Sequence, residues 1–191
     1  MGKNRCDWVN DDPLYVEYHD KEWGVPVYDD QKLFEFLILE TFQAGLSWLT
    51  VLRKRNNFRI AFDNFNYKLI ARYDDLKITQ LLNNPGIIRN RLKIQATVAN
   101  AIAFIRVQQE FGKFSNYIWR FVDNKPIKNK YKSIGEIPAK TKLSDKISKD
   151  LKKRGFKFIG STVIYAHMQA TGMVNDHCTS CFRYKEIVES Y

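Results

Sequence analysis

The chain has 191 residues, of which 45% are hydrophobic and 27% charged, as expected for one globular domain with a substantial core. Glu35 and Glu40 interrupt its most apolar run, which excludes a membrane span, and the first residues lack the apolar segment of a signal peptide, so we expect a cytoplasmic protein. The net charge of +10 favours a polyanionic partner such as nucleic acid, although a lysine-rich proteome would produce the same excess.

The predicted elements in the first half of the chain are helices. Asp29 and Asp30 are good N-caps for a long helix that runs toward Gly45, and Ser47 can cap a second helix through Arg55. Short helical segments follow at residues 58–62 and 67–73. Asp74 or Asp75 can then cap a helix over residues 76–82, before a turn at residues 83–86.

The second half is predicted to be helical as well. A long amphipathic helix resumes near Arg89, with one face formed by Ile94, Val98, Ile102 and Ile105. A short helix covers residues 114–121, and residues 123–144 form an irregular connecting loop. Ser144 or Asp145 caps a helix that ends at Gly155, and the last helix covers residues 161–171. Residues 156–159 are a brief strand candidate, and the fold class is all-α.

Glu40 stands where an apolar side chain is expected. At helical spacing, Leu33, Leu37, Glu40 and Ala44 share one face. An unpaired buried charge is costly, so such a carboxylate is paired, protonated or placed for a ligand. Trp48 follows just after a glycine that can end the helix. An acid and an indole beside one bend indicate a pocket for a flat, electron-poor molecule.

Cysteine and histidine residues near the two termini have a spacing that suits a metal. His177 and Cys181 form a His-x3-Cys pair, and Cys6 and His19 form a second pair near the start. Together they would give a closed tetrahedral Cys2His2 site, and four protein ligands would make its zinc structural rather than catalytic.

The spacing alone leaves other interpretations open. Cys6 can be a buried thiol beside ordinary polar histidines, and Cys178 competes with Cys181 as a ligand. His167 lies within an apolar helix and is interpreted as a packed or hydrogen-bonded residue. An odd number of cysteines in a cytoplasmic chain argues against disulfides.

The turn at Pro85-Gly86 lies between two predicted helices. Free backbone N–H groups there, with Arg89, Arg91 and Lys93 around them, would form an anion site. The turn resembles the helix-hairpin-helix element of DNA repair proteins, which holds a phosphate without reading sequence. It differs in having Ile88 at the second glycine position, and a simple helix–helix turn is the alternative.

Several distinctive strings occur together along nearly the whole chain. They are Cys6-Asp7-Trp8-Val9, Asp12-Pro13-Leu14-Tyr15, Tyr18-His19-Asp20, Glu22-Trp23-Gly24-Val25-Pro26, Gln43-Ala44-Gly45-Leu46-Ser47-Trp48, Lys152-Lys153-Arg154-Gly155-Phe156-Lys157-Phe158 and Met173-Val174-Asn175-Asp176-His177. With these strings the chain resembles type I 3-methyladenine DNA glycosylases.

The resemblance implies one helix-hairpin-helix glycosylase domain with two lobes. The termini, about residues 1–28 with 145–191, would form a zinc-binding lobe, and residues 29–144 a central helical lobe. The implied zinc ligands are Cys6, His19, His177 and Cys181. The implied base pocket contains Glu40, with Tyr18 and Trp48 as stacking rings and Trp8 and Tyr15 nearby. Gly45 and Leu46 would lie at the tip that fills the gap left in the DNA.

The chemistry of the lesion fits these residues. Methylation at N3 makes adenine cationic in DNA and weakens its glycosidic bond, so an anionic Glu40 can recognise the leaving base, and Tyr18 and Trp48 can add cation–π attraction. Residues 99–117 contain no aspartate to activate water. No lysine stands out as a Schiff-base nucleophile.

We therefore expect a monomeric, monofunctional hydrolase that acts on alkylated double-stranded DNA without an obligate protein partner, leaves an abasic site and uses Glu40 for base recognition rather than as a general base. The alternatives are a non-catalytic zinc-stapled DNA sensor of alkylated bases and, more remotely, a structure-specific RNA-binding protein.

Overall fold

A computed structural model describes residues 3–43 and 45–190 of the chain. These residues form a predominantly helical fold, as the all-α prediction required. The helices are α1 (Pro13–Lys21), α2 (Asp30–Gln43), α3 (Trp48–Ala61), α4 (Tyr67–Ile70), α5 (Asp75–Asn83), α6 (Arg91–Phe111), α7 (Phe114–Trp119), α8 (Lys142–Lys153), α9 (Ser161–Ala170) and α10 (Phe182–Glu189). Strands β1 (Ile127–Lys128) and β2 (Val174–Asn175) pair in parallel.

Helix α1 was not predicted, although its start carries a clear signal. Asp12 accepts a hydrogen bond from the backbone N–H of Leu14 at 3.0 Å, and Pro13 occupies the first helical position. An aspartate cap followed by proline is a typical helix start, because proline lacks the N–H that would otherwise need a partner. Helix α10 was also missed, and Cys181 at its start provides no side-chain cap.

The two aspartates at the start of α2 have different hydrogen-bond partners. Asp29 accepts the N–H of Lys32 at 2.8 Å, as expected for a cap. Asp30 instead accepts the backbone N–H groups of Phe114 and Ser115, each at 2.8 Å, at the start of α7. The carboxylate of Asp30 thus joins two helices that are far apart in sequence.

Three predicted boundaries are wrong. The helix that Ser47 caps runs without a break to Ala61, so the predicted separate segment at 58–62 belongs largely to α3. Thr141 caps α8, and Ser144 is the third helical residue, where it completes a reciprocal capping box with Thr141. Residues 156–159 are not a strand, because the Phe156 N–H bonds to the end of α8 instead of a neighbouring strand.

The predicted apolar face of α6 is also only partly correct. Ile94 is fully buried, whereas Ile102 is 38% exposed. The helix turns a different face inward because Asn100, also fully buried, accepts the N–H of Lys157 at 2.7 Å and donates to its carbonyl at 3.1 Å. A side chain that satisfies both the N–H and the carbonyl of one residue fixes the rotation of α6 more strongly than one isoleucine can.

One hydrophobic core runs through the described helices and includes residues from both ends of the chain, such as Cys6 and Ile164. The predicted division into two lobes stays a prediction. The β1–β2 pairing joins one strand from each predicted lobe. Among the described residues, no helix has both the length and the apolar character needed to cross a bilayer.

His167 on α9 is packed in the interior and has no hydrogen bond within residues 3–43 and 45–190. Its side chain is 1% exposed, and neither ring nitrogen has a hydrogen-bond partner among the described residues. Burial lowers its pKa to about 3. The folded protein therefore holds this imidazole neutral with an unsatisfied polar N–H, which costs about 1–3 kcal/mol.

His167→Phe is expected to raise the free energy of unfolding by about 1–3 kcal/mol, because a similar-sized ring replaces the unpaired polar atoms. Since the folded pKa lies below the unfolded value, the wild type loses stability as pH falls from about 6.5 toward 3, by up to about 1.4 kcal/mol per pH unit. The variant should lose that part of the acid slope. Urea unfolding at several pH values measures both effects, and an equal or lower stability of the variant would contradict the assignment.

Candidate functional site

Glu40 lies on α2 with its side chain buried. Its side chain is 4% exposed, and it accepts no hydrogen bond from the described residues. Leu33 and Leu37 on the same face are fully buried as predicted, while Ala44 lies outside the described residues. Burial raises the pKa of Glu40 to about 8. The carboxyl group is therefore mostly protonated at pH 7 until a positive group arrives.

The four predicted rings lie together around this carboxyl group. The ring centroids of Tyr18 and Trp48 are 5.5 Å apart, and those of Trp8 and Tyr15 are 4.9 Å apart. All four rings and Glu40 line one cavity of about 300 Å³. A flat ligand in this cavity would contact aromatic faces and one acidic acceptor, which is the combination that suits a cationic heterocycle.

Ten further residues line the cavity and were not predicted as site residues. They come from the turn after α1 and from α2, from the irregular loop, and from α9: Trp23 and Gln43; Ile134, Ile137, Pro138 and Ala139; Thr162, Tyr165, Ala166 and Gln169. The α9 residues follow an i, i+3, i+4, i+7 spacing that could have revealed them as one face. The loop residues carry no such periodicity.

A buried carboxylate holds part of the cavity wall in place. Asp176 is 1% exposed and accepts hydrogen bonds from the Tyr165 hydroxyl at 2.7 Å and from the Gln169 amide at 2.8 Å. Asn129, from the loop after β1, donates to its other oxygen at 2.6 Å. The irregular loop and α9 are therefore fixed to the same acceptor.

Tyr18 reinforces the electrostatic character of the cavity. Burial, followed by the nearby charge of Glu40, raises its pKa well above the usual range. Its hydroxyl therefore stays neutral whenever Glu40 is ionised. The cavity can hold one negative charge at Glu40, which a cationic ligand would balance.

The four predicted ligand residues meet in one buried cluster. The ligand atoms of Cys6, His19, His177 and Cys181 all lie within 4.8 Å of one another. The Cys6 sulfur is 3.5 Å from Nδ1 of His177, and the Cys181 sulfur is 3.4 Å from Nε2 of His19. These separations match the S–N edges of a tetrahedral site, about 3.5 Å for metal–ligand bonds of 2.0–2.3 Å.

The second ring nitrogen of each histidine is occupied. Nδ1 of His19 lies 2.7 Å from a carboxylate oxygen of Asp20, and Nε2 of His177 lies 3.0 Å from the carbonyl of Trp23. These contacts leave the inward nitrogens free as acceptors, which is how metal-binding histidines are oriented. The cluster includes Cys181 and not Cys178, so the residues that suit a metal ion are the predicted four.

The segment between α5 and α6 has the features of an anion site. The Gly86 N–H is taken by the Asn84 side chain at 2.8 Å. The backbone N–H groups of Ile88 and Arg89 have no acceptor among the described residues. Arg89 and Arg91 are exposed, as predicted. Two free N–H groups beside two guanidinium groups can hold a phosphate.

Lys93 does not belong to this exposed set, which corrects the prediction. Its side chain is 8% exposed, and its Nζ donates to the carbonyl of Phe42 at 3.2 Å. Lys93 lies on the inner side of α6, with Ile94. Its charge is therefore directed at the end of α2 instead of the anion site.

The turn between α2 and α3 projects outward. Gly45 has a φ of +85°, and a Cβ at this position would have no neighbour within 4 Å. Leu46 is 42% exposed, while its N–H donates to the Gln43 carbonyl at 2.7 Å. An exposed leucine on a tight, hydrogen-bonded turn is available to contact a macromolecule.

Comparisons with known proteins agree with one another. The family model described as methyladenine glycosylase matches residues 8–184. DNA-3-methyladenine glycosylase 1 of Escherichia coli strain K12 is 48% identical over 180 residues, covering 94% of this chain and 96% of its own. DNA-3-methyladenine glycosylase of Haemophilus influenzae is 49% identical over 177 residues, covering 93% and 96%. A Staphylococcus aureus structure that addresses 3-methyladenine recognition by 3-methyladenine DNA glycosylase I has a TM-score of 0.91 at 35% identity, covering 95% and 97%.

Proposed function

Because the chain belongs to the methyladenine glycosylase family, we propose that it is a monofunctional DNA glycosylase that excises 3-methyladenine from alkylated double-stranded DNA. The observation that carries the proposal is Glu40, a buried acid that lies among aromatic rings and accepts no hydrogen bond from the part of the chain that the structure describes. The E. coli and H. influenzae relatives bear the name of this activity, and the S. aureus relative is described as recognising the same base.

The cavity residues explain how the base would be selected. A base that pairs poorly is less costly to rotate out of the duplex. The cationic base then meets Tyr18 and Trp48, each worth about 2 kcal/mol of cation–π attraction in a desolvated pocket. Its positive charge lowers the pKa of Glu40, which ionises and accepts hydrogen bonds from the amino edge. A neutral adenine would leave the cost of ionising Glu40 uncompensated.

Cleavage of the glycosidic bond is favoured by the same positive charge on the base. The electrons of the glycosidic bond move to the base, which leaves neutral, while water adds to C1′ and releases one proton to solvent, so an abasic site remains. Glu40 acts on the base and not on the water, so it is a recognition group rather than a general base. Residues 99–117 supply no aspartate for activating water, and we assign no lysine as a nucleophile.

We assign a structural zinc ion to Cys6, His19, His177 and Cys181. Two thiolates and two imidazoles suit zinc, and four protein ligands fill a tetrahedral shell. A bound zinc would supply cross-linking and no catalysis, because no coordination position stays open. Tyr18 adjoins His19 in sequence, so the cluster also places one ring of the cavity.

The remaining assignments concern DNA. The α5–α6 segment acts as a helix-hairpin-helix that holds a phosphate through Ile88, Arg89 and Arg91, while Gly86 forms the turn with its N–H on Asn84. Gly45 and Leu46 fill the space left by the extruded base. The enzyme acts as a monomer with two lobes, a zinc lobe formed by the termini and a central helical lobe. Cytoplasmic residence stays a prediction from the sequence.

Release of the base from methylated duplex tests the function. Duplex DNA treated with a methylating agent is incubated with the protein, and the free purines are separated by chromatography. Free 3-methyladenine should appear together with abasic sites and without strand cleavage. Binding of the DNA without release would indicate a non-catalytic sensor, and strand cleavage by a purified preparation would contradict the monofunctional assignment.

The proposed phosphate contact of Arg89 predicts a loss of DNA affinity that does not depend on the DNA sequence. Arg89→Ala should weaken binding to all duplexes by the same factor and reduce the slope of log affinity against log salt by about 1. Fluorescence anisotropy at several salt concentrations measures the slope. Lys185→Ala, which removes a charge from an exposed position on α10, is the control and should leave the slope unchanged. A slope equal to that of the wild type in Arg89→Ala would contradict the assignment.

A further inference from the structure

The ammonium group of Lys93 points into the protein and contacts the end of α2. It lies in the first turn of α6, is 8% exposed, and donates to the carbonyl of Phe42 at 3.2 Å. Burial lowers the pKa of Lys93. A lysine side chain is flexible and normally keeps its charge in water, so an inward orientation requires a compensating interaction.

The Phe42 carbonyl provides that interaction because it lies at the C-terminal end of α2. It belongs to the last turn of α2, where carbonyl groups lack partners within the helix and the helix dipole is negative. The next carbonyl, of Gln43, accepts the N–H of Leu46. Two consecutive carbonyls at the end of α2 are therefore satisfied by Lys93 and by the exposed turn itself.

The backbone of Lys93 is held beside the segment between α5 and α6, which is the proposed phosphate-binding segment. Its backbone N–H donates at 3.1 Å to the side chain of Asn90, which caps α6 directly after Arg89. Lys54 makes a second connection on the far side of the exposed turn, from α3 to the carbonyls of Pro85 and Gly86, at 3.3 and 3.4 Å. The helices before and after Gly45–Leu46 are thus both tied to the α5–α6 segment.

We propose that Lys93 is a positioning residue that fixes the Gly45–Leu46 turn relative to the phosphate-binding segment, so that gripping the backbone places the turn inside the duplex. This inference rests on the proposed function. Lys93 acts through the end of α2 and does not touch the base. Glu40 lies two residues before Phe42, so the same contact also sets the distance between the turn and the carboxyl group.

Replacing the ammonium group separates this role from base binding. Lys93→Met keeps an unbranched side chain of similar length but removes the charged donor. It should slow single-turnover excision from a duplex with one 3-methyladenine by about 100-fold, the effect of an ångström-scale misplacement. Binding of free 3-methyladenine, followed by tryptophan fluorescence, should change by less than about twofold, because Lys93 does not line the cavity.

A second measurement follows the entry of the Gly45–Leu46 turn into the duplex. 2-Aminopurine placed next to the lesion should brighten when the wild-type turn enters the duplex and should brighten less with Lys93→Met. Lys93→Arg keeps a charged donor and should recover most of the rate. Lys68→Met removes the same charge from an exposed position on α4 and should behave as the wild type.

The outcomes separate this inference from the function on which it rests. Wild-type rate and 2-aminopurine signal in Lys93→Met overturn the positioning role alone. Equal losses of free-base binding and excision also overturn it, because they indicate a collapsed pocket. Failure of the wild type to release the base counts against the proposed function instead. If Lys93→Met does not fold, Lys93→Gln takes its place, with an expected loss of about tenfold because its amide keeps a neutral donor; an unchanged rate again overturns the role.

Discussion

Glu40→Gln is expected to slow excision of 3-methyladenine by about 100- to 1,000-fold while making the protein more stable at pH 7. Glutamine has nearly the same shape but carries no negative charge for the cationic base. The loss should appear in single-turnover rates measured with a defined duplex. Glu17→Gln makes the same substitution at an exposed position of α1 and should keep the wild-type rate.

The stability gain follows from the direction of the pKa shift. The folded pKa of Glu40, about 8, lies above its ordinary value of 4.5, so the folded state binds more protons between these values. The wild type therefore loses stability as pH rises from about 4.5 to 8. Glu40→Gln should avoid this loss and gain about 2–3 kcal/mol at pH 7, measured by urea unfolding.

The same pKa predicts the pH dependence of the reaction. Below about pH 8 the empty wild-type enzyme must lose a proton from Glu40 to hold the cation, so kcat/KM should rise about tenfold per pH unit and level off near pH 8. Glu40→Gln should lack this limb. A variant that retains the rising limb, or that excises the base at the wild-type rate, would show that another group governs recognition.

Removing the metal is expected to have the second large effect. The protein purified without added metal should contain about one zinc per chain. Zinc bound with free metal 1,000-fold above its Kd would contribute about 4 kcal/mol to the free energy of unfolding. At about 2–4 °C per kcal/mol for a chain of this size, the double variant Cys6→Ala/Cys181→Ala should melt about 10 °C lower.

Cys178→Ala is the matched control for this experiment. Cys178 is buried beside the cluster but is not among its four residues. Its alanine variant should keep one zinc per chain and most of its melting temperature. Metal loss in Cys178→Ala, or an unchanged melting temperature in the double variant, would contradict the assignment of the cluster as a structural zinc site.

Features that arise from local sequence were predictable. Asp29, Ser47 and Asp74 each mark a helix start through a side chain that caps nearby N–H groups, and the structure has helices at all three positions. Glu40 could be singled out because one acid interrupts an apolar face. Trp48 could be paired with Glu40 because it follows the same bend, whereas the ring of Tyr18 required the resemblance to a known family, since nothing in its spacing brings α1 beside α3.

Features that depend on tertiary contacts were not predictable. Lys93 looked like a surface charge because its partner is a backbone carbonyl 51 positions away. Ile102 looked buried because the Asn100–Lys157 contact that rotates α6 has no local signal. Ile137 and its neighbours enter the cavity from an irregular backbone, where no periodicity marks the inward side.

The contact between Cys6 and His177 closes a loop of 171 positions, nearly the length of the chain. Closing so long a loop must be offset by interactions that only the finished chain can make. During synthesis, Trp8, Tyr15 and Tyr18 leave the ribosome long before Cys181, which completes the cluster beside them. The lesion cavity is therefore expected to mature only once Cys181 has emerged, so a nascent chain that lacks this segment cannot yet capture a damaged base.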